Sequence, residues 1–86
     1  MPEKPPDQSQ VTRLSLRNRR EALIDFTLEP WGEVHPMAPG DLFEIVARGP
    51  TDGCLEVEAT QDGLTVYGWS GSIVDVFHDG KPLGAR

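Results

Sequence analysis

Two glutamates, Glu56 and Glu58, stand two residues apart in the alternating run Leu55-Glu56-Val57-Glu58-Ala59. A strand puts both carboxylates on one face, about 7 Å apart. Paired carboxylates at such a separation suit acid–base chemistry. Any exposed strand with alternating Glu produces the same pair, and an 86-residue sheet protein shows no pocket in its sequence to hold a substrate. Nucleophilic chemistry finds less support. Ser70-Gly71-Ser72 is not a nucleophile elbow, which needs Gly-x-Ser-x-Gly at a strand-to-helix turn. Cys54 would need a nearby cation to become a nucleophile, and its neighbours of the same strand parity are Glu56 and Glu58. Phosphate-cradling patterns, Gly-x-Gly-x-x-Gly or a Walker lysine, do not occur. The chain is therefore read as noncatalytic in preference to an enzyme.

Metal binding is the second chemistry to weigh. His35, His78, Cys54 and Met37 are residue types that blue-copper sites combine. A small β-sandwich carrying them resembles the cupredoxins, and the resemblance implies architecture only. That family places its cysteine a few residues before its C-terminal histidine and methionine on one loop. Here Cys54 has no histidine near it, His78 lies far downstream, and both methionines precede the cysteine. No ligand transfers residue by residue, so no metal and no cofactor is expected. His35, His78 and Cys54 remain the residues that a small-ligand or metal-binding site would use.

Size and charge bound the rest. Eighty-six residues make one domain. Residues 1–10 hold three of the eight prolines and no large apolar residue after Met1. Such a segment cannot offset its ordering entropy by burial, so a flexible tail, 1–10, is expected ahead of a single β domain, 11–86. With one cysteine, no disulfide can close within the chain. There is no apolar leader and no apolar run of membrane-spanning length, and the expectation is a cytoplasmic protein. The net charge is −6, divided unevenly: residues 1–20 carry five basic against two acidic side chains, leaving −9 for residues 21–86. An acidic body disfavours phosphate neutralisation, so neither nucleic acid nor membrane is expected as a partner. Arg13 and Arg17 are read as offsetting an acidic sheet beside them, in preference to an anion site.

The elements that must position these residues are strands. Residues 11–17 place Leu14 and Leu16 on one face and Arg13, Ser15 and Arg17 on the other. The turn Asn18-Arg19-Arg20-Glu21 has an Asn that tolerates a left-handed backbone. It is expected to close a hairpin onto residues 22–28, with Ala22, Ile24, Phe26 and Leu28 inward. A short strand around His35 follows. Residues 41–48 should turn Phe43, Ile45 and Ala47 to the core and leave Leu42 and Val46 half-buried. Residues 55–59 and 64–69 flank Asp62-Gly63, the strongest short hairpin signal available. Residues 73–78 and the turn Asp79-Gly80 complete the chain. No segment sustains helical periodicity. About seven short strands predict an all-β fold, a small antiparallel sandwich or partly open barrel in Greek-key or meander order.

One surface stands out. With Asp62-Gly63 as a two-residue turn, Glu58 falls opposite Tyr67 and Glu56 opposite Trp69. Glu56, Glu58, Tyr67 and Trp69 then share the outward face. Aromatic area with carboxylate steering suits a basic or amphipathic protein partner, or self-association. Trp31 is the second binding candidate, although plugging one end of the sandwich is the preferred role for it. It lies in Glu29-Pro30-Trp31-Gly32, followed by Pro39-Gly40. This pattern resembles one in small uncharacterised bacterial β-sandwich proteins, and the resemblance implies a fold without an activity. The leading expectation is thus a noncatalytic binding or accessory module.

Overall fold

The computed structural model describes residues 9–85. Residues 1–8 of the expected tail lie outside the described residues, whereas Ser9 and Gln10 already belong to the first strand. The fold is all-β. Among the described residues there are eight strands and no helix: β1 (Ser9–Arg17), β2 (Ile24–Glu29), β3 (Glu33–Met37), β4 (Leu42–Pro50), β5 (Glu56–Ala59), β6 (Gly63–Tyr67), β7 (Ile73–His78) and β8 (Lys81–Ala85). They form two four-stranded sheets, ordered β1-β4-β7-β8 and β3-β2-β6-β5, which do not close into a barrel. The chain crosses between sheets after β1, β3, β4 and β6, so the order is not a meander. Pairing is antiparallel with one exception, the parallel contact of β2 with β6.

Alternation along β1, β2, β4 and β7 fills the space between the sheets, whereas all four residues of β5 are exposed. Phe26, Leu28, Met37, Ile45, Ala47, Val66 and Val74 have no exposed surface. Burying a large apolar side chain of this kind stabilises the fold by about 1.5–3 kcal/mol. Phe43, Ile45 and Ala47 point inward from β4, and Leu42 and Val46 are half-buried, as the strand parity required. Ala22 does not join this set. It is exposed and precedes β2, which begins at Ile24.

The expected hairpin between the first two strands is absent. β1 pairs with β4 and β2 pairs with β3 and β6, so the segment between β1 and β2 passes from one sheet to the other. Asn18 holds that corner, and for a different reason than backbone tolerance. Among the described residues Asp79 is the only non-glycine with positive φ. Asn18 is instead buried, and its amide Nδ2 donates to the carbonyls of Ala22 and Met37, both at 2.9 Å. Its Oδ1 accepts from the Arg20 N–H at 2.9 Å. Its backbone donates to Asp41 O at 3.0 Å and accepts from Gly40 N at 2.8 Å. Every polar group of this buried residue is satisfied, which removes the penalty that burial would otherwise impose.

Candidate functional site

The β5–β6 hairpin positions the candidate surface. Thr60 and Gly63 exchange backbone hydrogen bonds of 2.8 and 3.4 Å, so the loop tip is Gln61-Asp62 and Gly63 opens β6. The register follows: Glu56 faces Tyr67, Val57 faces Val66, Glu58 faces Thr65 and Ala59 faces Leu64. This corrects the expected register by two residues. A shift of two preserves which face each side chain takes, so Glu56, Glu58 and Tyr67 stay together on the outer face. Gly63 explains the shift. It lies directly against β2, where a Cβ would collide with the carbonyl oxygen of Asp25. The glycine is therefore committed to the parallel β2–β6 contact and is not free to form the hairpin tip.

Parallel pairing with β2 adds a residue that the sequence reading missed. Glu29 stands beside Tyr67 on the side away from Glu56. The exposed Tyr67 ring thus lies in a row between two glutamates, and its hydroxyl donates to Glu58 Oε1 at 2.9 Å. This hydrogen bond, then partial desolvation, then the charges of Glu58, Glu29 and Glu56 hold the phenol above its ordinary value of 10.0. Glu29 carried a weak signal, since Leu28 points inward and its neighbour must point out. Its approach to Tyr67 depended on a pairing between distant strands, which no local pattern encodes.

Trp69 leaves the expected patch. It follows the end of β6, and its indole turns back over the end of the sandwich, half-buried against the core. Its Nε1 donates to Pro50 O at 2.9 Å, and its backbone N–H donates to Ser72 Oγ at 3.0 Å. The ring lies so close over Gly53 that a Cβ there would collide with it, and a Cβ at Gly49 would come within 3.1 Å. Trp69 is the end plug. Trp31, expected in that role, is 39% exposed, and its ring rests against Gly68, the residue after Tyr67. The Gly68 N–H donates to Glu29 O at 2.8 Å, which fixes the segments carrying Trp31 and Tyr67 side by side. Small residues beneath both indoles decide the arrangement, because each ring needs a surface without a Cβ.

The metal-ligating residue types are placed apart. Cys54 is exposed in the connection between β4 and β5. Both histidines pack on phenylalanines between the sheets. His35 stacks on Phe26 at 5.3 Å, and His78 stacks on Phe43 at 4.4 Å with the rings 3° from parallel. His35 Nε2 meets Glu33 Oε1 at 2.9 Å. His78 Nε2 lies 3.6 Å from Asp41 Oδ1 and 3.7 Å from Asp79 Oδ2 without a hydrogen bond. Among the described residues no three His, Cys, Asp or Glu side chains are grouped to hold a metal ion.

Comparison with protein-family models, curated proteins and solved structures found no match.

Proposed function

We propose that the protein is a noncatalytic binding module whose contact surface is the outer face of β2, β6 and β5 around Tyr67. The observation that carries this reading is the exposed Tyr67 ring, held by Glu58 and flanked by Glu29 and Glu56. A rigid aromatic supplies contact area at little entropic cost, and three carboxylates of one sign steer an oppositely charged partner. Trp31 extends the aromatic area at one margin. The partner is a protein segment rich in Arg or Lys, whose guanidinium or ammonium groups pair with the carboxylates and stack on the rings.

Titration of isotope-labelled protein with a short arginine-rich peptide tests the assignment. Amide shifts should concentrate at Glu29, Glu56, Glu58 and Tyr67. Tyr67→Ala combined with Trp31→Ala should weaken binding by about tenfold or more while leaving the melting temperature nearly unchanged. Asp75→Asn, on the opposite sheet, should leave binding as it was. Trp69→Ala should instead destabilise the fold by roughly 3 kcal/mol, as removal of a packed indole does. Shifts spread evenly over all acidic residues would refute a specific surface.

A further inference from the structure

The outer face of the other sheet has a different charge pattern. Val46 is its centre. Arg13 of β1 and Asp75 of β7 flank Val46 across the ladder, and Glu44 and Arg48 precede and follow it along β4. Two arginines thus occupy adjacent sides of a square, and two carboxylates occupy the opposite sides. None of the four is in an ion pair or side-chain hydrogen bond within the described residues. They line, with Val46 and Phe77, a single depression of about 330 Å³. The corners of the square follow from the same register: Val11 and Ile73 beside Arg48, Ser15 and Phe77 beside Glu44. Val11 and Ile73 are 54% and 50% exposed, apolar area that a contact on this face would cover.

We infer that this face is the contact surface of a two-fold dimer of the chain. In a face-to-face dimer the axis lies in the plane of the contact, and every side chain meets its own reflection across that axis. Neighbours stand about 4.8 Å apart across the strands and about 6.8 Å apart along them. Of four in-plane axes through Val46, the two along and across the strands superpose the positions directly. The two diagonals do so to within about 3 Å, which long side chains can span. An axis along β4 sets Arg48 on Arg48 and Glu44 on Glu44. An axis across the strands sets Arg13 on Arg13 and Asp75 on Asp75. One diagonal sets arginine on arginine and carboxylate on carboxylate throughout. The remaining diagonal, through Ser15 and Ile73, sets Arg13 against the partner's Glu44 and Arg48 against the partner's Asp75. It also places Val11 against the partner's Phe77 and brings the two copies of Val46 and of Ile73 together. The four charges around Val46 are matched, and Val11 and Phe77 meet each other.

This axis crosses the two sheets at near right angles, one of the two common sheet-packing modes. Crossed at right angles, two four-stranded faces overlap over about the square of the sheet width, roughly 370 Å² per copy. The total of about 740 Å² is below the size of a stable specific interface, so the dimer is weak and concentration-dependent. It leaves the Tyr67 face, on the other sheet, free.

Charge reversal in sedimentation velocity and in isotope-filtered spectra tests the pairing. Arg48→Glu and Asp75→Arg should each weaken self-association by about tenfold or more. An equimolar mixture of the two single variants should form a heterodimer, because Glu at 48 then meets Arg at 75 at one contact and Asp75 meets Arg48 at the other. The double variant should again self-associate to within about threefold of the natural chain. Arg13→Glu with Glu44→Arg gives the same cycle at the second contact and serves if either first variant fails to fold. A natural chain that stays monomeric to about 1 mM, far above the low-affinity range, overturns the inference. So does failure of the mixed variants to associate.

Discussion

Asp62-Gly63 and Asp79-Gly80 are the same dipeptide at the ends of two antiparallel hairpins, and each glycine is there for a separate reason. At the β7–β8 turn Asp79 has φ 54° and Gly80 φ 78°, and His78 pairs with Lys81 across the two-residue loop. Both central torsions are left-handed, the geometry that matches the twist of the flanking strands. A Cβ at Gly80 would meet nothing within 4 Å. At the β5–β6 turn the loop moves one position back, and Gly63 is absent from the positive-φ glycines. Its lack of a side chain serves the approach of β2. One glycine is required by its own torsion and the other by a neighbour, and only the first requirement is local.

Gly63→Ala is the severest way to break this distinction. The new Cβ has no room against the Asp25 carbonyl, so β2 and β6 must separate. A loss of about 3 kcal/mol or more is expected in urea unfolding, in line with backbone overpacking. An unchanged midpoint would mean that the two strands do not approach there. Gly80→Ala meets open space and bears only the torsional penalty, so roughly 1 kcal/mol is expected by the same measurement. The smallest effect concerns the diagonal contact of Tyr67 with Glu58 across the β5–β6 pair. Tyr67 is the one tyrosine in the chain, and near-ultraviolet absorbance follows its phenol alone. The midpoint should lie above 10.0, and Glu58→Gln should lower it, since the Glu58 hydrogen bond is the largest cause of the upward displacement. With the folded phenol above the unfolded one, its contribution to stability is complete below the unfolded value. That contribution disappears as pH rises through the folded value. A midpoint indifferent to Glu58→Gln would detach the Tyr67 hydroxyl from Glu58.

The same division explains what could be read in advance. Period-two alternation at Leu14 and Leu16, at Phe26 and Leu28, and at Phe43, Ile45 and Ala47 marks the core faces without further information. The Asp79-Gly80 turn is legible because its requirement lies within two residues. Strand partnership is not legible. The hairpin expected between residues 11–17 and 22–28 has plausible turn residues, yet the two strands pair with β4 and with β3 and β6, and Asn18 bonds to the carbonyl of Met37, all far along the chain. The candidate surface divides in the same manner. Glu56, Glu58 and Tyr67 follow from parity, and parity survives a register error of two. Trp69 and Glu29 do not, because the indole needs the bare backbone of Gly53 beneath it and the glutamate needs the parallel β2–β6 pair beside it. Trp69 is packed and Trp31 partly exposed, the reverse of the expected burial, on account of glycines that look in the sequence like ordinary turn residues.

Asn18 also ties the chemical ageing of the protein to its shape. Hydrolysis of a side-chain amide exchanges one nitrogen for one oxygen and changes the outline of the residue hardly at all. At this corner it would turn a donor of two hydrogen bonds into an acceptor facing the carbonyl oxygens of Ala22 and Met37, with a negative charge sealed from water. Closed molecules hold the amide in place through both of its ends and through the adjoining backbone. Open molecules leave it to react, and a chain altered while open carries a repulsive group at the point where its two sheets must be joined.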